Sequence, residues 1–152
     1  ETQMARYAVD MLRTASTTLS VGNITADATR PRRLKWYDIV FGAQGTVGDN
    51  PFLYTIQRCT TAGTSTAVVP QPLDPADAAT EADAGENHTI EPTYTSAQIL
   101  LNIGMNQRAT FRWVAQPGGE LVSPATASNG IGVQSPTSGA VAIATQVHVE
   151  EQ

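Results

Sequence analysis

The stretch Val141-Ala142-Ile143-Ala144-Thr145-Gln146-Val147-His148-Val149 decides the fold class. Val141, Ile143, Thr145, Val147 and Val149 share one face, while Ala142, Ala144, Gln146 and His148 continue the other face from Ala140. A period of two over this length marks a strand with one face buried. Such a face has to be covered by a second layer, and most of the remaining ordered stretches also read as strands. The expected architecture is therefore all-β: an antiparallel β-sandwich, jelly-roll-like, with one short helical insertion.

Working outward, Leu34–Phe41 is rich in aromatic and β-branched residues and reads as a strand. So do Phe52–Thr61, Ser65–Val69, Ile90–Thr95 (bent at Pro92), Ala97–Gly104, Thr110–Ala115, Glu120–Val122 and Ile131–Val133. A first strand is expected over Thr17–Val21, followed by a loop from Gly22-Asn23 through Thr25–Pro31. Pro117-Gly118-Gly119, Asn129-Gly130 and Pro136-Thr137-Ser138-Gly139 supply turns. The helical signal is Leu73–Ala84, where Asp74 can N-cap, Pro75 takes the first helical position and Asp77 lies in the first turn. Residues 1–16 read as an N-terminal arm and 17–152 as a single β-sandwich domain, with Met4-Ala5-Arg6 resembling a natural start. The expected core includes Trp36, Phe41, Ile56, Ile99, Leu101, Phe111, Trp113, Ile143 and Val147.

Charged residues make up 15% of the 152-residue chain, against about 25% in an average soluble domain. A surface so poor in charge suits a protein packed against copies of itself or a partner. The net charge of −5 and the single lysine, Lys35, argue against nucleic acid, whose binders need a basic footprint. The one dense positive stretch is Arg30-Pro31-Arg32-Arg33-Leu34-Lys35. The only cysteine, Cys59, lies in an alternating run and reads as a buried thiol, so neither an intrachain disulfide nor a four-thiolate zinc site can be built. The sequence has no apolar run of about 18 residues and no signal-peptide core, so no membrane partner is expected. Asn23-Ile24-Thr25 and Asn87-His88-Thr89 match the glycosylation sequon, which without a secretion signal reads as chance.

Catalytic and metal-binding patterns are weak. Gly42-x-x-Gly45-x-x-Gly48 lacks the Lys-Ser/Thr of a phosphate loop and reads as turn chemistry. Asp74, Asp77, Glu81, Asp83, Glu86 and Glu91 raise calcium binding, but their spacing does not fit an EF-hand loop, and a solvated loop is the plainer reading. His88 and His148 lie in no metal spacing, and no Gly-x-Ser-x-Gly elbow is present. No catalytic residue, cofactor or metal is therefore expected. The residues most suited to contact are Arg30, Arg32, Arg33 and Lys35, which could meet an acidic partner surface, together with Arg108 and Arg112 beside Trp113.

Two segments carry a resemblance: Pro31-Arg32-Arg33-Leu34-Lys35-Trp36-Tyr37-Asp38 and Asn106-Gln107-Arg108-Ala109-Thr110-Phe111-Arg112-Trp113-Val114-Ala115-Gln116-Pro117-Gly118-Gly119-Glu120-Leu121. Both resemble stretches of small accessory virion proteins of tailed bacteriophages. The resemblance implies a β-sandwich decoration or cement protein on the capsid exterior. Such a protein is assembled in the host bacterial cytoplasm, forms a homotrimer and binds the major capsid protein. No functional residue carries over from it. The alternative from the sequence is a glycan- or receptor-binding module of a tail fibre or baseplate, which predicts exposed aromatic residues on loops.

Overall fold

The computed structural model describes residues 4–13, 19–135 and 141–152. In chain order its strands are β1 (Ala5–Arg13), β2 (Gly22–Thr25), β3 (Leu34–Gln44), β4 (Pro51–Cys59), β5 (Thr64–Val68), β6 (Gln71–Pro72), β7 (Asp83–Ile90), β8 (Tyr94–Asn106), β9 (Phe111–Val114), β10 (Leu121–Ser123), β11 (Gly130–Gln134) and β12 (Ala142–Glu151). They form two six-stranded antiparallel sheets. The first runs β10-β3-β12-β1-β6, with β9 also paired to β3, and the second runs β5-β7-β2-β11-β4-β8.

The pairing is nested. β1 pairs with β12, β2 with β11, β3 with β10, and β4 with β8. The two halves of the chain thus meet from the outside inward, as one long hairpin whose successive strand pairs alternate between the sheets. That is the jelly roll, as expected. β5, β6 and β7 come from the segment between β4 and β8 and extend one flank only: β7 lies on β2, β5 on β7, and β6 on β1.

Alternation places the core. In β12, Ile143, Thr145, Val147 and Val149 are buried while Ala144, Gln146 and His148 are half-buried. Trp36, Phe41, Ile56, Ile143 and Val147 are buried as expected, whereas Leu101 and Trp113 are only partly covered, Ile99 is 46% exposed and Phe111 is 43% exposed. At the centre the Tyr54 ring lies 4.7 Å from Phe41 and 5.0 Å from Phe52, in tilted and edge-on contacts. The Tyr54 hydroxyl donates to the Gly42 carbonyl at 2.6 Å, joining β4 of one sheet to β3 of the other. Arg58 bonds the carbonyl of Val122, and the amide of Leu12 donates to Glu86 at 2.7 Å, so the sheets are tied at several points.

Four expectations are corrected. Leu73–Ala84 forms no helix: Asp74 accepts from the amide of Ala76 at 2.9 Å, the amide of Asp77 bonds the Asp74 carbonyl, and the chain then leaves the turn. The Ala78 carbonyl is taken by the Tyr7 hydroxyl at 2.7 Å and the Glu81 amide by Glu151 at 3.1 Å. So short a segment cannot offset the nucleation cost of a helix once tertiary partners claim its backbone. Residues 5–13 are no arm: Tyr7, Val9 and Met11 line the buried face of β1, between β12 and β6. Gly22-Asn23, read as the start of a loop, belongs to β2, and the strand expected over Ile90–Thr95 divides, with β7 ending at Ile90 and β8 beginning at Tyr94. The Pro136–Gly139 turn and the start of the Thr17–Val21 strand lie outside the described residues.

Close backbone approach explains Gly130, where β11 passes between β2 and β4. A methyl group there would sit 2.0 Å from the Ile24 carbonyl oxygen and 2.7 Å from the Thr25 Cα, both backbone atoms. Gly130→Ala should therefore destabilise the protein by about 2 kcal/mol or more, through forced separation of the strands. Urea titration followed by tryptophan fluorescence measures this, and a midpoint equal to the parent's would contradict the packing.

Candidate interaction surface

The solvent-facing side of the β3-containing sheet gathers charge, aromatic rings and apolar side chains. A register shift between His148 and Val149 leaves Tyr37 as the extra residue of β3, so Tyr37 and Asp38 both face outward. Arg112 on β9 grips Asp38 with two parallel bonds, Nε to Oδ1 at 3.0 Å and Nη2 to Oδ2 at 2.6 Å. His148 places Nδ1 4.0 Å from the same carboxylate, and its ring centroid lies 6.2 Å from that of Tyr37. Arg6 stacks its guanidinium 5.5 Å from the Tyr37 centroid and bonds Glu150 at 3.2 Å.

Two recesses flank the Arg112–Asp38 pair. A cleft of about 240 Å³ is lined by Arg6, Lys35, Tyr37, Val114, Pro117 and Glu120. A groove of about 280 Å³ is lined chiefly by Leu12, Val40, Gly42, Thr110 and Ala144. One recess is charged with a ring in its wall, and the other is mostly apolar, with Asp10, Thr110 and Gln146 also in its lining. Electrostatics follows the geometry. The Arg112 hydrogen bonds hold the Asp38 carboxyl below its ordinary 3.8, and Asp38 raises Arg112 in turn. Burial pushes the Tyr37 phenol up, with Arg6 opposing.

The structure separates the six contact residues expected from the sequence. Lys35 and Arg112 share this sheet face. Arg30, Arg32 and Arg33 stand at the entrance to β3: Arg30 is 3.4 Å from Glu81, Arg33 bonds the Gln152 side chain at 2.5 Å, and Arg32 lines a third recess with Met4 and Tyr7. Arg108 pairs with Asp49 at 3.1 Å, beyond the far end of β3. At about 3.3 Å per residue, Leu34–Gln44 puts roughly 33 Å between those ends. Arg6, Tyr37 and Asp38 were not singled out by sequence reasoning, whereas His148 was placed on the outward or intermolecular face of its strand, where the structure has it. The signal for Arg6 was present in the alternation of β1, but the Tyr37 bulge has no sequence signature.

A second polar group is enclosed at the other sheet. Arg13 donates to the carbonyls of Ser20 and His88, at 3.1 and 2.6 Å, and Ser20 bonds both Glu91 and the Tyr94 hydroxyl. His88 is fully buried with Nε2 3.0 Å from the Ala62 carbonyl, and among the described residues its Nδ1 meets no partner, so Ser20 and His88 form no relay there. Burial lowers the His88 basicity and lifts the Cys59 thiol to about 11, which makes that thiol inert. The acidic stretch is dispersed: Glu81 faces Arg30, Glu86 holds Leu12, and Glu91 holds Ser20. Among the described residues no group of three His, Cys, Asp or Glu side chains could hold a metal ion.

Two pH effects follow. Asp38→Asn should cost about 1 kcal/mol at pH 7, modest because the Arg112 side chain is 64% exposed. The native Asp38 value is depressed, so its contribution is whole above about pH 4 and is lost as pH falls through that native value. Parent and variant should converge once the pH has fallen below that native value. For His88 the native base is weakened, so the unfolded chain binds the extra proton below about pH 6.5 and stability declines from there downward. Urea midpoints at pH 7 and pH 5 should show a fall that is smaller in His88→Gln; an equal fall would remove His88 as its source. No protein-family model and no curated protein matches this chain.

Proposed function

We propose that the protein stabilises an assembled shell by contact: a decoration or cement protein that binds the major capsid protein lattice on the exterior of a phage head. The observation carrying this reading is the outward face of the β3-containing sheet. There a bidentate Arg112–Asp38 pair stands between a charged cleft and a mostly apolar groove, and the Arg30–Lys35 run adjoins one end. Such a face combines rigidly held charge, which sets register and on-rate, with a mostly apolar groove that supplies burial. The resemblance of Pro31–Asp38 and Asn106–Leu121 to virion proteins covers β9 and the first part of β3, which carry Asp38, Arg112 and Lys35. Jelly rolls serve both viral capsids and lectins, so the architecture is compatible with the reading without deciding it.

A protein that binds only the assembled lattice raises its stability by mass action. Purified protein added to undecorated capsids should bind and raise their heat resistance. A variant with Ala at Arg30, Arg32, Arg33 and Lys35 should bind at least about tenfold more weakly and show a flatter salt dependence. Arg112→Ala, which also frees Asp38, should weaken binding on its own. Parent protein that neither binds nor protects capsids, but is retained on a glycan array, would replace this reading with a glycan-binding module of a fibre or baseplate.

A further inference from the structure

The expected core residues that fail to be buried, Ile99, Leu101, Phe111 and Trp113, all lie on β8 and β9, along one flank of the sandwich. Leu101, Ile103 and Met105 sit opposite Ile56, Tyr54 and Phe52, which face the core, yet each is only partly covered. Phe111 sits opposite the buried Phe41 and remains 43% exposed. The opposite flank is closed by β5, β6 and β7, whereas among the described residues no strand pairs with the free edge of β8.

β8 is a 13-residue edge strand, about 40 Å long at 3.3 Å per residue. Between Glu91 and Arg108 the chain carries no charged residue. Edge strands are normally blunted by charge, proline or brevity, because their unpaired N–H and C=O groups recruit other strands. Here Pro92 precedes the strand, and its irregularities, Ala97 at φ 64° and two register shifts on either side of Gln57, lie in its first half. From Leu101 to Asn106 the ladder with β4 is regular.

We propose that the free edge of β8 is a self-association surface, where two copies of this chain pair β8 with β8 antiparallel about a two-fold axis. The proposal is independent of the shell reading. The occupant follows from charge and length. For a protein of net charge −5, a neutral stretch adds least to the repulsion between two copies, and β8 is uncharged and the longest of the described strands. A register centred on Ile103 sets Leu101 against Met105 of the copy and Ile103 against itself, completing the half-covered core row on both sides. Isologous pairing also closes the edge, so growth stops at two. The threefold arrangement expected from sequence would need β8 to meet a different edge. The other edge of that sheet, β5, offers five residues, and the two-fold pairs more backbone.

Gly104 supplies the test. It is exposed, and a Cβ there meets nothing within 4 Å, so a long side chain leaves the protomer intact. In the two-fold register the two copies of residue 104 lie diagonally across the seam. Sedimentation velocity at 1–100 µM should show the parent as a dimer. Gly104→Lys and Gly104→Glu, with circular dichroism matching the parent, should each dissociate at least about tenfold more readily. Mixing the two variants should restore dimer through opposite charge. A parent that is monomeric at 100 µM, trimeric, or forms open-ended oligomers would overturn the proposal. So would dimers equally stable in both variants, which would place the contact elsewhere.

Discussion

The hydroxyl of Tyr54, bonded to the Gly42 carbonyl in the middle of the aromatic core, is the contact around which the two sheets are arranged. A buried phenol without a partner would cost a few kcal/mol, so its ring can pack against Phe41 and Phe52 only while β3 and β4 hold their present offset. β3 and β4 are consecutive strands in different sheets, so this bond sets the corner of the roll. β12 and β10 then pair along β3, while β11 and β8 pair along β4.

From that arrangement comes the division between the faces. The core side of the β3-containing sheet is mostly apolar, with Arg13, Ser123 and Thr145 as buried polar exceptions, and its outer side receives the alternate residues of β1, β3, β9 and β12. Arg6, Asp38, Arg112, His148 and Glu150 come from distant parts of the chain and meet because antiparallel register aligns them. The Tyr37 bulge adds an aromatic wall and turns Asp38 toward Arg112. Charge that would repel or wander on a mobile loop is held in place by the ladder beneath it.

The two flanks differ because the insertion between β4 and β8 covers only one of them. Four residues with the pattern of core residues remain half-exposed on the uncovered side. Their alternation is that of a buried strand face, and the local pattern and the protomer's burial disagree there. Such disagreement is expected at surfaces that a sequence has been shaped to bury in another context.

The sequence by itself determined the long strands β3, β4, β8 and β12, while β1, β2, β6 and β7 were not legible in it as strands. β12 is legible residue by residue, β3, β4 and β8 nearly so, because a period of two with β-branched and aromatic residues depends only on backbone geometry. The jelly-roll class followed from strand spacing, and residue type alone singled out Arg112 and Lys35, which the structure places on one sheet face. Tertiary structure decided what neighbours supply. β1 became an inner strand because β12 and β6 cover it; Leu73–Ala84 lost its helix because Tyr7 and Glu151 took its backbone groups. Arg108 fell beyond the far end of β3 from Arg30, and Asp38 met Arg112, because pairing register, not distance along the chain, sets which side chains share a surface.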